Sequence, residues 1–149
     1  MNVKQISVVL DEQSGSLCGM AKILAGKNVD MRALTVSESG NFRIVHIIVD
    51  NVLWALSALW EAGFTANMAD VLAVKVPDEA EGLVKVLDAL ERGGIDVKYM
   101  YTVLSRKKTL SLGGGMPVLV FKLSDEARAE EILNAEGIKV LSQAELSMI

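Results

Sequence analysis

Two short stretches hold the residues best able to do chemistry. The first, "DEQSGSL", covers Asp11–Leu17 and is a polar loop that opens onto a helical pattern. The second is the turn that closes this helix and ends in Asp30. The first amides of a helix have no partner inside it and carry the positive end of its dipole. They hold a carboxylate without any special side chain, and Gly15 lets the carboxylate approach the backbone closely. The Asp30 carboxylate suits an ammonium group. It sits at the far end of the same helix, however, and ten residues of helix span ~15 Å. It therefore serves the loop of a neighbouring unit, not its own. An α-amino acid would be read by its two charged ends, from two units at once. Ser14 also suits a plain helix N-cap, and Asp30 a turn without a ligand.

The same order of parts returns later. "PDEAEGL", Pro77–Leu83, precedes a helical pattern whose closing turn ends in Asp96. Here Asp78 and Glu81 have the spacing of a capping box, so the chain's own carboxylates would satisfy the amides. Glu81 stands where the first loop has Gly15, and it would repel a ligand carboxylate. The first loop, Gln13 to Leu17, is therefore the expected better site.

The elements that carry these loops follow from periodicity. Val3 to Leu10 alternates as a half-buried strand. Ser16 to Ala25 places Leu17, Met20, Ala21 and Leu24 at helical spacing, and Gly26 and Asn28 punctuate its end. Met31 to Ser37 and Phe42 to Val49 read as strands about a turn at Ser39-Gly40-Asn41, Asn51 to Ala62 as a helix stopped by Gly63, and Phe64 to Met68 as a short last strand. The order is βαββαβ. An offset of 66 lays Leu17, Leu24, Val29 and Asp30 over Leu83, Leu90, Ile95 and Asp96. An offset of 74 then lays Val45, Ile47, Val49, Leu59 and Gly63 over Leu119, Phe121, Leu123, Leu133 and Gly137. The difference, 74 − 66 = 8 residues, is a longer hairpin at 105–117.

A period this long is a domain duplication. The expected fold is α+β: two ferredoxin-like βαββαβ units, 1–69 and 70–149, each an antiparallel sheet with helices on one face. One sheet face per unit is then expected to be open. It carries Gln5, Ser7, Val9, His46 and Ile48 in the first unit, and Ala73, Lys75, Tyr99, Tyr101, Val118, Val120 and Lys122 in the second. The second set is apolar enough to call for a partner.

The strands, loops and turns "DEQSGSL" with "NVDMRAL", and "PDEAEGL" with "GIDVKYM", resemble a tandem pair of ACT domains over essentially the whole chain. The resemblance implies a sensor of small molecules, commonly amino acids, or a regulatory subunit of an amino-acid-pathway enzyme. Carried over by position, the ligand-binding set is Asp11, Gln13, Ser14, Gly15, Ser16, Leu17, Asn28, Val29 and Asp30, with Gly82, Leu83, Ile95 and Asp96. The family usually has Asn where this chain has Asp30 and Asp96, a departure that favours a cationic group. The implied partners are a small-molecule ligand, a second copy in a homodimer, and a target enzyme. The runner-up is a subunit that binds no ligand and docks through the open sheet face.

Other features exclude more than they suggest. The 149 residues are 51% hydrophobic with a net charge of −4, which disfavours nucleic acid and anionic membranes. The one positive run, Arg106-Lys107-Lys108, reads as a solvated loop. Met1 leads straight into a strand, and no apolar run is long enough to span a bilayer, so a cytoplasmic protein is expected. A single cysteine, Cys18, cannot pair within the chain and reads as a buried or half-buried hydrophobe. His46, the only histidine, has no metal constellation around it. Gly113 to Gly115 lacks the lysine and helix of a phosphate loop. Trp54 and Trp60 read as core or inter-unit packing. No acid–base pair converges, so neither an enzyme nor a cofactor is expected.

Overall fold

The computed structural model describes residues 3–11, 15–77, 79–104 and 117–148. The hairpin insertion expected at 105–117, except Pro117, lies outside the described residues, as do the basic run at 106–108, the glycines at 113–115, Asp78, Gln13 and Ser14. The chain divides into two compact units, Lys4–Ala69 and Asp70–Ile149, with Met1–Val3 assigned to the latter.

In the first unit the elements are β1 (Val3–Leu10), α1 (Leu17–Gly26), β2 (Met31–Ser39), β3 (Phe42–Val49), α2 (Val52–Glu61) and the first part of β4 (Thr65–Lys75). The strand order is β2-β3-β1-β4. The second unit takes up the rest of β4 and continues with α3 (Gly82–Arg92), β5 (Val97–Thr102), β6 (Val118–Leu123), α4 (Glu126–Ala135), β7 (Lys139–Leu141) and a short α5 (Gln143–Ser147). There β4 pairs β6 and β7, and β6 pairs β5, all antiparallel. Both units are ferredoxin-like. The strand expected to end at Met68 instead runs on to Lys75, because Val71, Leu72, Ala73 and Val74 continue an apolar strand run past Asp70.

The offsets read from the sequence reappear in the hydrogen-bond registers. In the first unit Ile6 pairs Ile47, Ser7 pairs His46 and Val8 pairs Val45. In the second, Leu72 pairs Phe121, Ala73 pairs Val120 and Val74 pairs Leu119. Even the irregularity between Met31 and Ala33 has its counterpart between Val97 and Tyr99.

All four long helices end the same way. Asn28, Gly63, Gly94 and Gly137 adopt positive φ of 58°, 91°, 73° and 75°. The residue after each returns its N–H to the carbonyl five back: Val29 to Leu24, Phe64 to Leu59, Ile95 to Leu90 and Ile138 to Leu133, each at 2.9 Å. These are Schellman ends, in which the residue past the left-handed position packs on the last helical turn. All eight residues of these pairs are buried in the two cores.

Each core lies between one sheet face and its helices. The first joins Ile6, Val8, Leu10, Val45 and Ile47 to Met20, Leu24, Ala55, Leu56 and Leu59. The second joins Leu72, Val74, Phe121 and Leu123 to Val86, Leu90, Ala129 and Leu133. Fully burying one such Leu contributes about 1.5–3 kcal/mol.

Three sequence expectations change. The opposite sheet faces are not open: Gln5, Ile48, Ala73, Tyr101, Val118 and Val120 are all buried within the chain. Trp54 and Trp60 are not core residues, because the buried stripe of α2 is Ala55, Leu56, Ala58 and Leu59 and the tryptophans fall outside it. Cys18 is exposed, since α1 buries Met20 and Leu24 on another side.

Candidate functional site

The helix start that sequence singled out is built by Ser16, not Ser14. Ser16 has extended backbone, and its Oγ accepts the Gly19 N–H at 3.0 Å. Its carbonyl accepts the Met20 N–H. The Leu17 and Cys18 amides are left without an acceptor among the described residues. Gly15, just before them, has a φ of +107°, and an added Cβ would press on the Phe64 ring. The glycine therefore serves the turn whether or not a ligand is present. Asp11 lines an open groove with Leu10, Glu38, Gly40, Asn41, Phe42 and Arg43, between the end of β1 and the β2–β3 hairpin.

The start of α3 is different. Glu81 is the N-cap itself and its side chain makes no cap bond, and the Asp78 of the expected capping box lies outside the described residues. The Glu79 carboxylate instead pairs with Lys85. Gly82 begins the helix pressed against the Pro77 carbonyl, where any Cβ would collide. Its glycine is thus set by backbone contact. Leu83, next in the helix, is partly exposed at the expected position.

The two Asp-bearing turns are tied down alike through residues the sequence reading missed. Asp50 Oδ1 accepts the Asp30 N–H at 3.0 Å, and Ser124 Oγ accepts the Asp96 N–H at 2.9 Å. The return bonds, Asp50 N–H to Asp30 O and Ser124 N–H to Asp96 O, complete each pair. Asp50 and Ser124 are themselves mates at the offset of 74, and that is the signal that would have found them.

The carboxylates differ. Asp30 is held against Arg32 at 3.4 Å, with side chains only 19% and 7% exposed. A buried guanidinium needs such a partner. The Asp96 side chain is exposed and, among the described residues, has no hydrogen-bond or ionic partner. Asn28 is exposed at its positive-φ position, whereas Val29 and Ile95 point into the cores.

On the other sheet face of the first unit, His46 Nδ1 lies 2.8 Å from Ser7 Oγ and 3.1 Å from Gln5 Nε2. Gln5 Nε2 also donates to Ser7 Oγ at 3.1 Å. With donors converging on Nδ1, the neutral ring fits, and burial lowers the His46 pKa below its usual 6.5. In the second unit Tyr99 and Tyr101 stack with ring centres 6.4 Å apart, and burial raises the Tyr101 pKa. Among the described residues no group of three or more His, Cys, Asp or Glu is placed to hold a metal ion, and no helix is long and apolar enough to cross a membrane.

The chain matches the ACT domain pair family over residues 1–149. No curated protein matches it. Among solved structures it is similar to protein BT0572 from Bacteroides thetaiotaomicron, with 28% identity, a TM-score of 0.87, and coverage of 100% of this chain and 98% of that one. It is also similar in fold to the regulatory subunit of aspartate kinase from Thermus thermophilus in its ligand-free form, with 16% identity, a TM-score of 0.59 and 90% of each chain covered. The corresponding subunit from Thermus flavus gives 15% identity, a TM-score of 0.55 and coverage of 91% and 92%. With its two ferredoxin-like units, repeated helix starts and Asp-bearing turns, and a match along its whole length, the chain belongs to the ACT domain pair family, which is typical of small-molecule-binding regulatory proteins and is not catalytic.

Proposed function

We propose that this protein is a cytoplasmic regulatory sensor that binds an amino acid and acts as a homodimer on a target enzyme. The observation that carries the reading is the family match along the entire chain. Residues 1–69 and 70–149 are then two copies of one ancestral unit. The ligand carboxylate sits on the Leu17 and Cys18 amides, which have no acceptor among the described residues, beside Gly15 and with Asp11 and Ser16 of the same loop. The ligand ammonium meets an Asp-bearing turn of a different ACT unit, because one unit's own turn is a helix length away. Of the two turns, Asn28–Asp30 already spends its carboxylate on Arg32, so the exposed Asp96 is the readier counter-charge. Binding biases the protein only as far as the ligand prefers one arrangement of units over another. The competing reading, docking through an open sheet face, loses its surface, since Ile48, Ala73, Val118 and Val120 are buried.

A thermal-shift screen of the common amino acids tests the proposal. A ligand at 100 times its Kd adds ~2.7 kcal/mol of stability. For a chain of this size that is a rise of roughly 5–10 °C. Asp96→Ala should weaken the response and Gly15→Ala should remove it. A flat screen across all of them would refute amino-acid sensing.

A further inference from the structure

The helices of Lys4–Ala69 present an apolar face to solvent. On α2 the exposed residues Leu53, Ser57, Trp60 and Glu61 follow the i, i+4, i+7, i+8 spacing of one stripe, beside Trp54. Leu53 is 72% exposed, Trp60 57% and Trp54 50%. Each indole N–H is already satisfied inside the unit, Trp54 by the Lys27 carbonyl and Trp60 by the Ala66 carbonyl, both at 2.9 Å. Lys27 Nζ also lies over the Trp54 ring. The rings are therefore held in place and send no unmet donor outward. A partner can cover them without stranding a polar group, and little side-chain freedom is lost on contact.

The size and charge of the face indicate its occupant. From the 150–250 Å² of an aromatic side chain, these three residues expose on the order of 400 Å². That equals the largest apolar patch of a typical monomer and fits the centre of a standard interface of about 800 Å² per side. Apart from Lys27 over the Trp54 ring, the face is charged only at Lys22 of α1 and Glu61 of α2, both exposed. A two-fold contact that lays α1 over the partner's α2 brings Lys22 toward the partner's Glu61, twice. The face is thus complementary to itself. Nor does the fold demand it: at the matching positions the second unit has Ala127, Arg128, Glu131 and Asn134 on α4.

We propose that the α1–α2 face of Lys4–Ala69 seats a second copy of this chain, in a two-fold contact centred on Leu53, Trp54 and Trp60. The contact rests on the homodimer proposed above and gives it an interface; it needs no ligand, so it stands or falls apart from amino-acid sensing.

Sedimentation of the full chain over a dilution series, with tryptophan emission read in parallel, tests it. The two tryptophans are the only ones in the chain, and both lie on this face. Dissociation should therefore red-shift emission with the same midpoint as the mass. Leu53→Glu and Trp60→Lys should each raise the dimer Kd at least about 30-fold, as central interface residues do, with the circular dichroism unchanged. Lys22→Glu and Glu61→Lys should each weaken the dimer, and the double reversal should restore it. A wild-type chain that stays monomeric at the highest soluble concentration overturns the proposal. So does a dimer indifferent to Leu53→Glu and Trp60→Lys, or a double reversal no tighter than either single change.

Discussion

The helix pair of the first unit and that of the second agree on the inside and differ on the outside. Inward, Leu24 and Leu59 answer Leu90 and Leu133, and every one of these is buried. Outward, α1 and α2 carry one charged residue each, whereas α3 and α4 carry four each. α3 binds its Arg92 to Asp88 and to Glu136 past the end of α4, a solvated arrangement. The sheets repeat the lesson on their far faces. The Gln5, Ser7 and His46 network of the first unit has Val71, Ala73 and Val120 at its matching positions, and Ser7–His46 and Ala73–Val120 are equivalent register pairs. Packing and backbone geometry hold the unit to one pattern. Surfaces and polar networks are free to take on separate tasks.

If the inner patterns are equivalent, matched core deletions should cost alike. Leu24→Ala and Leu90→Ala should each remove about 2–5 kcal/mol, with the pair agreeing to ~1 kcal/mol. Both tryptophans lie in the first unit. In urea, their fluorescence reports that unit while circular dichroism reports both. Leu24→Ala should shift both signals. A Leu90→Ala effect confined to the dichroism would mean that the units unfold separately, and coincident curves would mean a single transition.

The loop glycines should split where the helices agree. Gly82→Ala forces a Cβ into the Pro77 carbonyl, a backbone atom that cannot swing away, and should cost about 3 kcal/mol. Gly15→Ala presses a Cβ on the Phe64 ring, a side chain that need give only a few tenths of an ångström, and strains an L-residue at φ +107°, for about 1–2 kcal/mol. The expected order in thermal unfolding is Gly82→Ala below Gly15→Ala. The reverse order would mean that the loop before α3 yields more easily than its carbonyl contact suggests.

Much of this was legible in the sequence. Alternation and helical spacing gave the strands and helices, and Asn28, Gly63 and Gly137 marked three of the four helix ends. The repeat offsets carried the sheet registers, because a slip of one residue would turn each buried face outward. Less legible was what depends on position along a helix or strand in three dimensions. Ser16 caps α1 instead of Ser14, and nothing local distinguishes two serines in a polar loop. The exposure of Trp54 and Trp60 runs against composition, since large aromatic residues are usually buried. Asp50 and Ser124 act through bonds to residues 20 and 28 positions away. Only the repeat, not their chemistry, sets them side by side.

Those two residues offer a finer test of the equivalence. Asp50→Ala and Ser124→Ala each remove the side-chain acceptor of one exposed Asp N–H, and each should cost about 1 kcal/mol in thermal unfolding. If the turns are also ligand contacts, Ser124→Ala should loosen Asp96 and lower amino-acid affinity more than stability alone accounts for. Equal losses of both would confine the pair to a structural role.

The smallest effect separates the sheets. Because His46 is the only histidine, any imidazole titration of this chain belongs to the first unit. Burial lowers its pKa in the folded chain below 6.5, so the unfolded chain binds the proton more readily. Stability is then full above about pH 6.5 and falls as the pH drops through that value toward the lowered folded one. Protonation would also place an N–H on Nδ1, where Gln5 Nε2 already donates, so the fall has a structural cause at a named atom. His46→Gln should flatten the dependence across this interval, with unfolding midpoints measured from pH 5 to 8. The second unit, with Val120 in the same place, has no imidazole to titrate. A slope that survives His46→Gln would have to arise from the carboxylates of either unit, and the polar network of the first would lose its claim to set the two sheets apart.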